Sequence, residues 1–281
     1  MKSLQFFIDM LSKNRKLHIS ILDVTGILNT PSRKLELENI IHSKDFCKTA
    51  KSTERGMRLC LYCKKLANTK AVTEKKAFSG HCPYGLFEAA VPVVIGGAVC
   101  AVIYVGNAII DKEKTSARIE RSCRYTKVNK DRLYELTGEC EEILNEDELL
   151  GIAEIISDYI KALYTAEPKT DGGTHWLVTA LKQYADSTYL FNPTLKELSI
   201  LYHKNEKYMG RLFKSEMGVS FHEYCLDLKL ERACEMLKAT KNKAIDIALE
   251  CGFNNISYFN RAFKAKYGLT PNEYRKKRLS H

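Results

Sequence analysis

Four cysteines in the first third of the chain have a spacing that could support metal or redox chemistry. Cys60-x-x-Cys63 falls in a stretch with helical propensity, Cys47 precedes it, and Cys82 follows directly after His81. Four thiols and an imidazole this close in sequence could hold zinc or an iron–sulfur cluster. A second C-x-x-C pair, which would make zinc a strong prediction, is missing from the sequence. A metal site, a redox-active thiol pair and simple packing all stay open.

The chain has 10 cysteines, and their chemistry depends on where the protein resides. No apolar run approaches the roughly 18 residues needed to cross a bilayer. The N-terminal stretch 1–17 is amphipathic and has no signal-peptide core. We therefore expect a cytoplasmic protein without a membrane partner, whose thiols are reduced. Six cysteines are more typical of packing than of chemistry: Cys100, Cys123, Cys140, Cys225, Cys234 and Cys251.

A second set of chemically capable residues occurs twice, 50 positions apart. The stretches Tyr208–Tyr224 and Tyr258–Tyr274 repeat Tyr, Arg, Phe, Lys, Gly, Glu and Tyr in register. Each copy is predicted to be a short helix, a turn and a second helix with an outward basic face. That arrangement is a helix-turn-helix, which places its second helix in the major groove of double-stranded DNA.

The residues expected to contact DNA lie on the outward face of each second helix. Arginine can pair with guanine and asparagine with adenine, whereas a lysine one turn later suits a phosphate. Gly210 offers no side chain to a base, so the first copy is expected to read fewer bases. The candidate contacts are Glu206, Lys207, Arg211 and Lys214 in the first copy, and Ser257, Asn260, Arg261 and Lys264 in the second.

The charge distribution agrees with a polyanionic partner for the C-terminal part. The whole chain has a formal net charge of +10. Residues 174–281 contain 18 Lys and Arg against 11 Asp and Glu, whereas residues 1–173 contain 26 against 23. Most of the positive excess therefore accompanies the repeated motif, which is what DNA binding requires.

The elements that must position these residues change character along the chain. Mixed helices and strands predict an α+β domain over residues 1–165, and a polar stretch with a Gly-Gly pair at 166–175 predicts a linker. Residues 176–281 are predicted to be entirely α-helical. The predicted elements of the first part are a helix at 1–13, two short strands within 17–28, a helix at 54–76, a hairpin at 89–105 that turns at Gly96-Gly97, and a helix at 147–164.

The helix at 147–164 has an apolar stripe with two open interpretations. The stripe consists of Leu149, Ile152, Ala153, Ile156, Ile160 and Leu163, which recur every three or four residues. It could pack on its own domain, or it could pair with the same helix of a second copy in a homodimer.

The last hundred residues contain a long and specific motif around the second copy. It runs Ile245-x-Ile247-Ala248-x-x-x-Gly252-Phe253 and then Ser257-Tyr-Phe-x-Arg261-x-Phe263-Lys264-x-x-x-Gly268-x-Thr-Pro271-x-x-Tyr274-Arg275. This motif resembles the DNA-binding domain of the AraC/XylS family of bacterial transcription regulators, although Lys229 stands where that family often has arginine. The resemblance implies an all-α domain with two helix-turn-helix motifs that binds promoter DNA and acts on RNA polymerase, more often as an activator.

The first part of the chain contains a series of short motifs in a fixed order. They are Asp23-Val-Thr-Gly26, Phe46-Cys47, Cys60-x-x-Cys63, His81-Cys82-Pro-Tyr-Gly85-Leu86 and Val91-Pro92. In this order they resemble the PocR sensory domain. The similarity implies a PAS-like fold that senses small hydrocarbon derivatives such as short diols. Since a ligand pocket is mostly apolar with a few polar groups, the candidate ligand-binding residues are Asp23, His81, Tyr84, Glu88 and Tyr104.

Together these features predict a one-component transcription regulator that is controlled by a small-molecule effector. The alternative is a redox- or metal-responsive regulator that uses Cys47, Cys60, Cys63 and Cys82. An enzyme is not expected, because beyond the C-x-x-C pair and His81 we find no combination of a nucleophile, a base and a residue that orients the base.

Overall fold

A five-stranded sheet is the framework of the N-terminal half. The computed structural model describes residues 1–42, 44–167, 175–202 and 204–279. The antiparallel strands follow one another across the sheet in the order β1 (His18–Asp23), β4 (Ala98–Ile109), β3 (Phe87–Ile95) and β2 (Phe78–His81). Strand β5 (Glu141–Glu142) pairs in parallel with β4. The predicted hairpin is confirmed. Gly96 and Gly97 form its turn with φ of +56° and +78°, where glycine has no steric cost.

One face of the sheet is covered by helices α1 (Leu4–Ser12) and α6 (Asp147–Ala166). Leu149, Ala153 and Ile156 of α6 are fully buried, in one cluster with Val91 and Val93 of β3. The apolar stripe of this helix therefore packs within its own domain, which is the first of the two interpretations. Ile152 of the stripe is only partly buried, and pairing of this helix with a second copy stays a prediction.

The opposite face of the sheet is covered by α3 (Glu54–Glu74), which confirms the helix predicted at 54–76. The sheet therefore has helices on both faces. Ala71 of α3 lies in one cluster with Val102 and Tyr104 of β4. Three further helices pack around a neighbouring cluster that includes Phe46 and Leu133. They are α2 (Asp45–Ala50), α4 (Lys112–Thr126) and α5 (Lys130–Leu136).

The second short strand predicted within 17–28 is wrong. The chain leaves β1 at Asp23 and forms a tight loop instead of pairing again. The Asp23 carboxylate accepts hydrogen bonds from the backbone N–H groups of residues 25–28, at 2.6–3.1 Å. A side chain that satisfies four successive donors removes the need for a strand partner.

The described part of the C-terminal half consists of helices and turns. Contacts divide the chain into two compact units, Met1–Leu177 with Ile200–His203 and Val178–Ser199 with Lys204–His281. Most of the linker predicted at 166–175 lies outside the described residues. The helices are α7 (Trp176–Thr188), α8 (Leu195–Leu201), α9 (Glu206–Met217), α10 (Phe221–Ala239), α11 (Ala244–Glu250), α12 (Ile256–Tyr267) and α13 (Pro271–Leu279).

Candidate nucleic-acid interface and sensory site

Helices α9 and α12 bury and expose side chains at equivalent positions, 50 residues apart in the sequence. Met209 and Phe213 of α9 are fully buried, as are Phe259 and Phe263 at the equivalent positions of α12. Their opposite faces are open to solvent. All eight residues that the sequence proposes as DNA contacts are exposed: Glu206, Lys207, Arg211, Lys214, Ser257, Asn260, Arg261 and Lys264.

The ends of both helices are set by the residues that flank them. The side-chain oxygen of Asn205 accepts a hydrogen bond from the Tyr208 backbone N–H at 3.1 Å, and Asn255 does the same for Tyr258 at 3.0 Å. Gly218 and Gly268 end the helices at φ of +75°. The repeated sequence thus encodes two helices of equal length, each with the positive end of its dipole at the same position.

The two copies differ at the position occupied by Gly210 in α9 and by Asn260 in α12. A methyl group added to Gly210 would lie 3.2 Å from Leu195 Cδ1, so the glycine lets α9 approach α8 closely. Around it, Lys207, Arg211 and Lys214 line a shallow basic groove. In α12 the equivalent position is Asn260, which is exposed, and the Arg261 guanidinium lies 5.7 Å from the centroid of the Tyr258 ring. The second copy therefore has a hydrogen-bonding side chain, Asn260, at the position where Gly210 of the first copy packs against α8.

Lys229 on α10 supports the turn that precedes α12. Its ammonium group donates hydrogen bonds to the Asn192 side-chain oxygen and to the Gly252 carbonyl, the latter at 2.7 Å. Gly252 adopts a φ of +74° in the turn between α11 and α12. The ammonium also lies 5.5 Å from the centroid of the Phe253 ring. A single buried cation therefore connects three segments of this unit.

The stability contributed by Lys229 should depend on pH. Burial lowers the pKa of Lys229 from 10.5 to about 8, so between these values the unfolded chain binds more protons than the folded one. The free energy of unfolding should then rise with pH from about 8 to 10, by at most about 1.4 kcal/mol per unit. Urea titrations of the wild-type chain and of Lys229→Met across this range test the prediction. Parallel pH profiles for the two proteins would contradict it.

In the N-terminal unit, two of the proposed ligand residues belong to one polar cluster. Glu88 Oε2 lies 3.1 Å from Lys64 Nζ, and Glu88 Oε1 lies 2.9 Å from His42 Nε2. Lys64 Nζ lies 3.2 Å from the centroid of the Tyr104 ring, and the Tyr104 hydroxyl donates to the Asn68 side chain. Burial alone would raise the pKa of Glu88, but Lys64 and His42 outweigh it and lower the pKa to about 2. The cluster therefore contains a stable carboxylate–ammonium pair.

The other three proposed ligand residues lie in different surroundings. Asp23 is fully engaged by the loop that it caps. The Tyr84 hydroxyl donates a hydrogen bond in the interior near the Ala50 carbonyl and Thr126 Oγ1, each at 3.1 Å, so it has a structural role. His81 packs edge-on against the Phe87 ring at 5.0 Å, and its buried Nε2 has no hydrogen-bond partner among the described residues. These three do not join the Glu88 cluster.

The four candidate metal-binding cysteines are free thiols near the Glu88 cluster. Burial raises the pKa of each, to about 12 for Cys47 and to about 11 for Cys63, and neighbouring thiols add to the effect at Cys47, Cys63 and Cys82. Within the described ranges, no group of three or more His, Cys, Asp or Glu side chains is placed to hold a metal ion. The donor types suit zinc or an iron–sulfur cluster, and a metal site at these cysteines stays a prediction.

Sequence reasoning missed His42 and Lys64 as members of this cluster. His42 lies in a segment without a motif, and Lys64 reads as one of many helical lysines. Their contacts with Glu88 bring together strand β3, helix α3 and the segment before α2, which are distant in sequence. No local pattern reveals such long-range packing.

The structure thus combines a mixed α+β N-terminal part with a helical C-terminal part that carries the two exposed basic faces of α9 and α12. Residues 1–166 match the model of the sensory domain found in PocR, and residues 199–277 match a helix-turn-helix domain. The chain belongs to the family that carries this PocR sensory domain, joined here to a helix-turn-helix domain of AraC type.

The chain is also similar to individual proteins. The HTH-type transcriptional regulator YfiF of Bacillus subtilis is 30% identical over 138 residues, which cover 48% of this chain and 43% of that protein. The HTH-type transcriptional activator RhaR of Yersinia pestis is 33% identical over 78 residues, 27% of each chain. The C-terminal domain of AraT, a response regulator from Geobacillus stearothermophilus, is 28% identical, with a TM-score of 0.36, over 38% of this chain and 88% of that domain. The chain spans less than half the length of the curated relatives named here.

No helix in the described ranges is both long and apolar enough to span a membrane.

Proposed function

We propose that this protein is a one-component transcription regulator whose two helix-turn-helix units read adjacent segments of promoter DNA. The observation that carries the proposal is the matched pair of exposed basic faces on α9 and α12. Each combines base-reading side chains at the start of the helix with a lysine one turn later, at Lys214 and Lys264. Phosphate contacts then position the protein and base contacts specify the site.

The connecting helix α10 supports the use of both units on one duplex. It has 19 residues, which corresponds to about 28 Å at 1.5 Å per residue. Successive major grooves on one side of DNA are about 34 Å apart. A helix of this length is suited to placing α9 and α12 in neighbouring grooves.

The N-terminal unit would supply regulation by a small-molecule effector in a PAS-like sensory domain. The polar cluster around Glu88 and Tyr104 is the best candidate for the effector site, because charged and aromatic groups converge there beneath α3. By analogy with the PocR-type sensory domain, the effector would be a small hydrocarbon derivative such as a short diol. The regulator would act in the cytoplasm as a homodimer and would contact RNA polymerase. By analogy with the AraC/XylS family, in which activation is the commoner outcome, it would be an activator.

DNA binding should depend steeply on salt. Each phosphate contact contributes a slope of about −0.9 in a plot of log affinity against log salt concentration. Replacing Lys264 with alanine should therefore make the slope less steep by about one, and should weaken binding on all sequences equally. Fluorescence anisotropy with promoter fragments at several salt concentrations measures this.

The matched control is Lys130→Ala, which removes an exposed lysine of the N-terminal unit that pairs with Glu120 at 3.0 Å. This variant should keep the wild-type slope. A wild-type slope near zero would contradict DNA binding through these faces.

A further inference from the structure

The first recognition helix, α9, carries three cations in a row along its outer side. Lys207, Arg211 and Lys214 are four and three residues apart, so they share one side of the helix and span about 10 Å of its length. All three are exposed, and together with Gly210 they line one shallow groove. A groove lined by three cations attracts an anion.

The three cations are not neutralised by carboxylates of the protein. In the part of the chain that the structure describes, no carboxylate lies within ion-pair distance of Lys207, Arg211 or Lys214. By contrast, Lys266 of α12 pairs with two carboxylates of α10, at 2.8 and 3.2 Å. Three like charges this close repel one another, and a bound anion relieves the repulsion.

Gly210 leaves this side of α9 without a side chain between the cations and α8. A methyl group built on Gly210 would lie 3.2 Å from Leu195 Cδ1. Glycine is common where the backbone of a protein closely approaches a ligand. In α12 the equivalent residue is Asn260, whose exposed side chain can both donate and accept hydrogen bonds next to Arg261.

The groove on α9 can donate hydrogen bonds but cannot accept them. Lysine and arginine have no acceptor, and Glu206, the candidate acceptor of α9, does not line the groove. Among the base edges, only guanine offers two acceptors to such donors. Phosphate oxygens are acceptors at every sequence, and one strand presents a phosphate about every 3.4 Å along the DNA axis. A row of three cations therefore matches a DNA strand better than it matches a particular set of base pairs.

We propose that the α9 groove binds the sugar–phosphate backbone of DNA, whereas α12 reads base edges. The first helix-turn-helix anchors the protein at any sequence, and the second selects the sequence. Phosphate contacts fix the register and orientation of a protein on the duplex without specifying bases. The inference rests on the proposed function and narrows the role of α9 within it, from reading a DNA segment to holding the backbone.

Arg211 gives the sharpest test, because a paired contact with guanine needs the planar fork of arginine and a phosphate contact does not. The full chain is titrated at about 0.15 M salt with the promoter site and with unrelated DNA of equal length. We expect Arg211→Ala to weaken binding roughly fivefold on both DNAs and to make the salt slope less steep by about one. Arg211→Lys should bind both nearly as wild type does. The matched control, Arg232→Ala, removes an exposed arginine that pairs with Glu235 and should change neither affinity nor slope.

Uncharged methylphosphonate linkages locate the same contact on the DNA. Placed one at a time through the footprint, they should weaken wild-type binding roughly fivefold at the phosphates that α9 holds. Arg211→Ala should lose little further affinity at those linkages, because the contact is already absent. Changing the base pairs beside them should alter wild-type affinity by less than about twofold, whereas a change in the segment read by α12 should cost about tenfold.

Thermal unfolding midpoints show that each variant is folded. The proposal is overturned if Arg211→Ala loses affinity on the promoter site alone, if Arg211→Lys fails to restore binding, or if a folded Arg211→Ala binds both DNAs as wild type does. A wild-type chain that binds neither DNA would remove the proposed function together with this inference. Sequence-selective losses for both Arg211→Ala and Arg261→Ala would leave the proposed function standing and remove only the anchoring role of α9.

Discussion

Replacing Phe263 with alanine should destabilise the C-terminal unit by about 3–5 kcal/mol. The ring is fully buried, and its centroid lies 4.6 Å from that of Tyr267 and 5.6 Å from that of Tyr274. Removing it leaves a cavity between α12 and α13 that the surrounding aromatic side chains cannot fill without leaving their rotamers. Because this ring holds the inner face of α12, DNA binding should be lost together with stability.

Urea unfolding followed by helical circular dichroism measures the Phe263 effect. The adjacent Lys264→Ala is the control, since it removes an exposed side chain from the same helix and should change stability by less than about 0.5 kcal/mol. Phe213→Ala, at the equivalent position of the first copy, should behave like Phe263→Ala. If Phe263→Ala unfolds at the wild-type urea concentration, the packing described for α12 is wrong.

Replacing Glu88 with glutamine should destabilise the N-terminal unit by up to about 3 kcal/mol, because Lys64, whose side chain is only 20% exposed, then loses its carboxylate partner. The folded pKa of Glu88 is about 2, below its ordinary value of 4.5. Its contribution is therefore fully present above about pH 4.5 and is lost as the pH falls toward 2. The difference in stability between wild type and Glu88→Gln should shrink over that range.

A double-mutant cycle isolates the Glu88–Lys64 pair from other effects of the substitution. Adding Lys64→Met to Glu88→Gln should recover much of the lost stability, because the unpaired charge disappears. Glu120→Gln is the surface control. It breaks an exposed pair with Lys130 and should cost less than about 1 kcal/mol. Equal losses in Glu88→Gln and Glu120→Gln would mean that the Glu88 cluster is open to water.

The helical half could be predicted well because its signals are local. Asn205 and Asn255 sit directly before helices that they cap, and Gly218 and Gly268 end those helices. Thr194 and Glu197 likewise form a capping pair at the start of α8, with hydrogen bonds of 3.0 and 3.2 Å. Such signals depend on residues three or four positions apart, so one sequence is enough to recognise them.

The sensory half was predicted only in outline, because its key contacts are distant in sequence. The Gly96-Gly97 hairpin and the helix at 54–76 follow from composition and periodicity. The meeting of His42, Lys64 and Glu88 depends on how strand β3, helix α3 and the irregular segment before α2 pack together. The Asp23 carboxylate caps its own loop, which the sequence did not reveal, and its proposed ligand contact stays a prediction.

The central claim, that α12 reads bases through Arg261, is tested most directly by comparing wild type with Arg261→Ala on two DNAs. One is the promoter site located by footprinting, and the other is unrelated DNA of equal length. Arg232→Ala serves as control, because it removes an exposed arginine of α10 that pairs with Glu235. We predict a loss of about 1–3 kcal/mol on the promoter site for Arg261→Ala, with much less loss on unrelated DNA. An equal loss on both DNAs, or no loss on either, would contradict base reading by this helix.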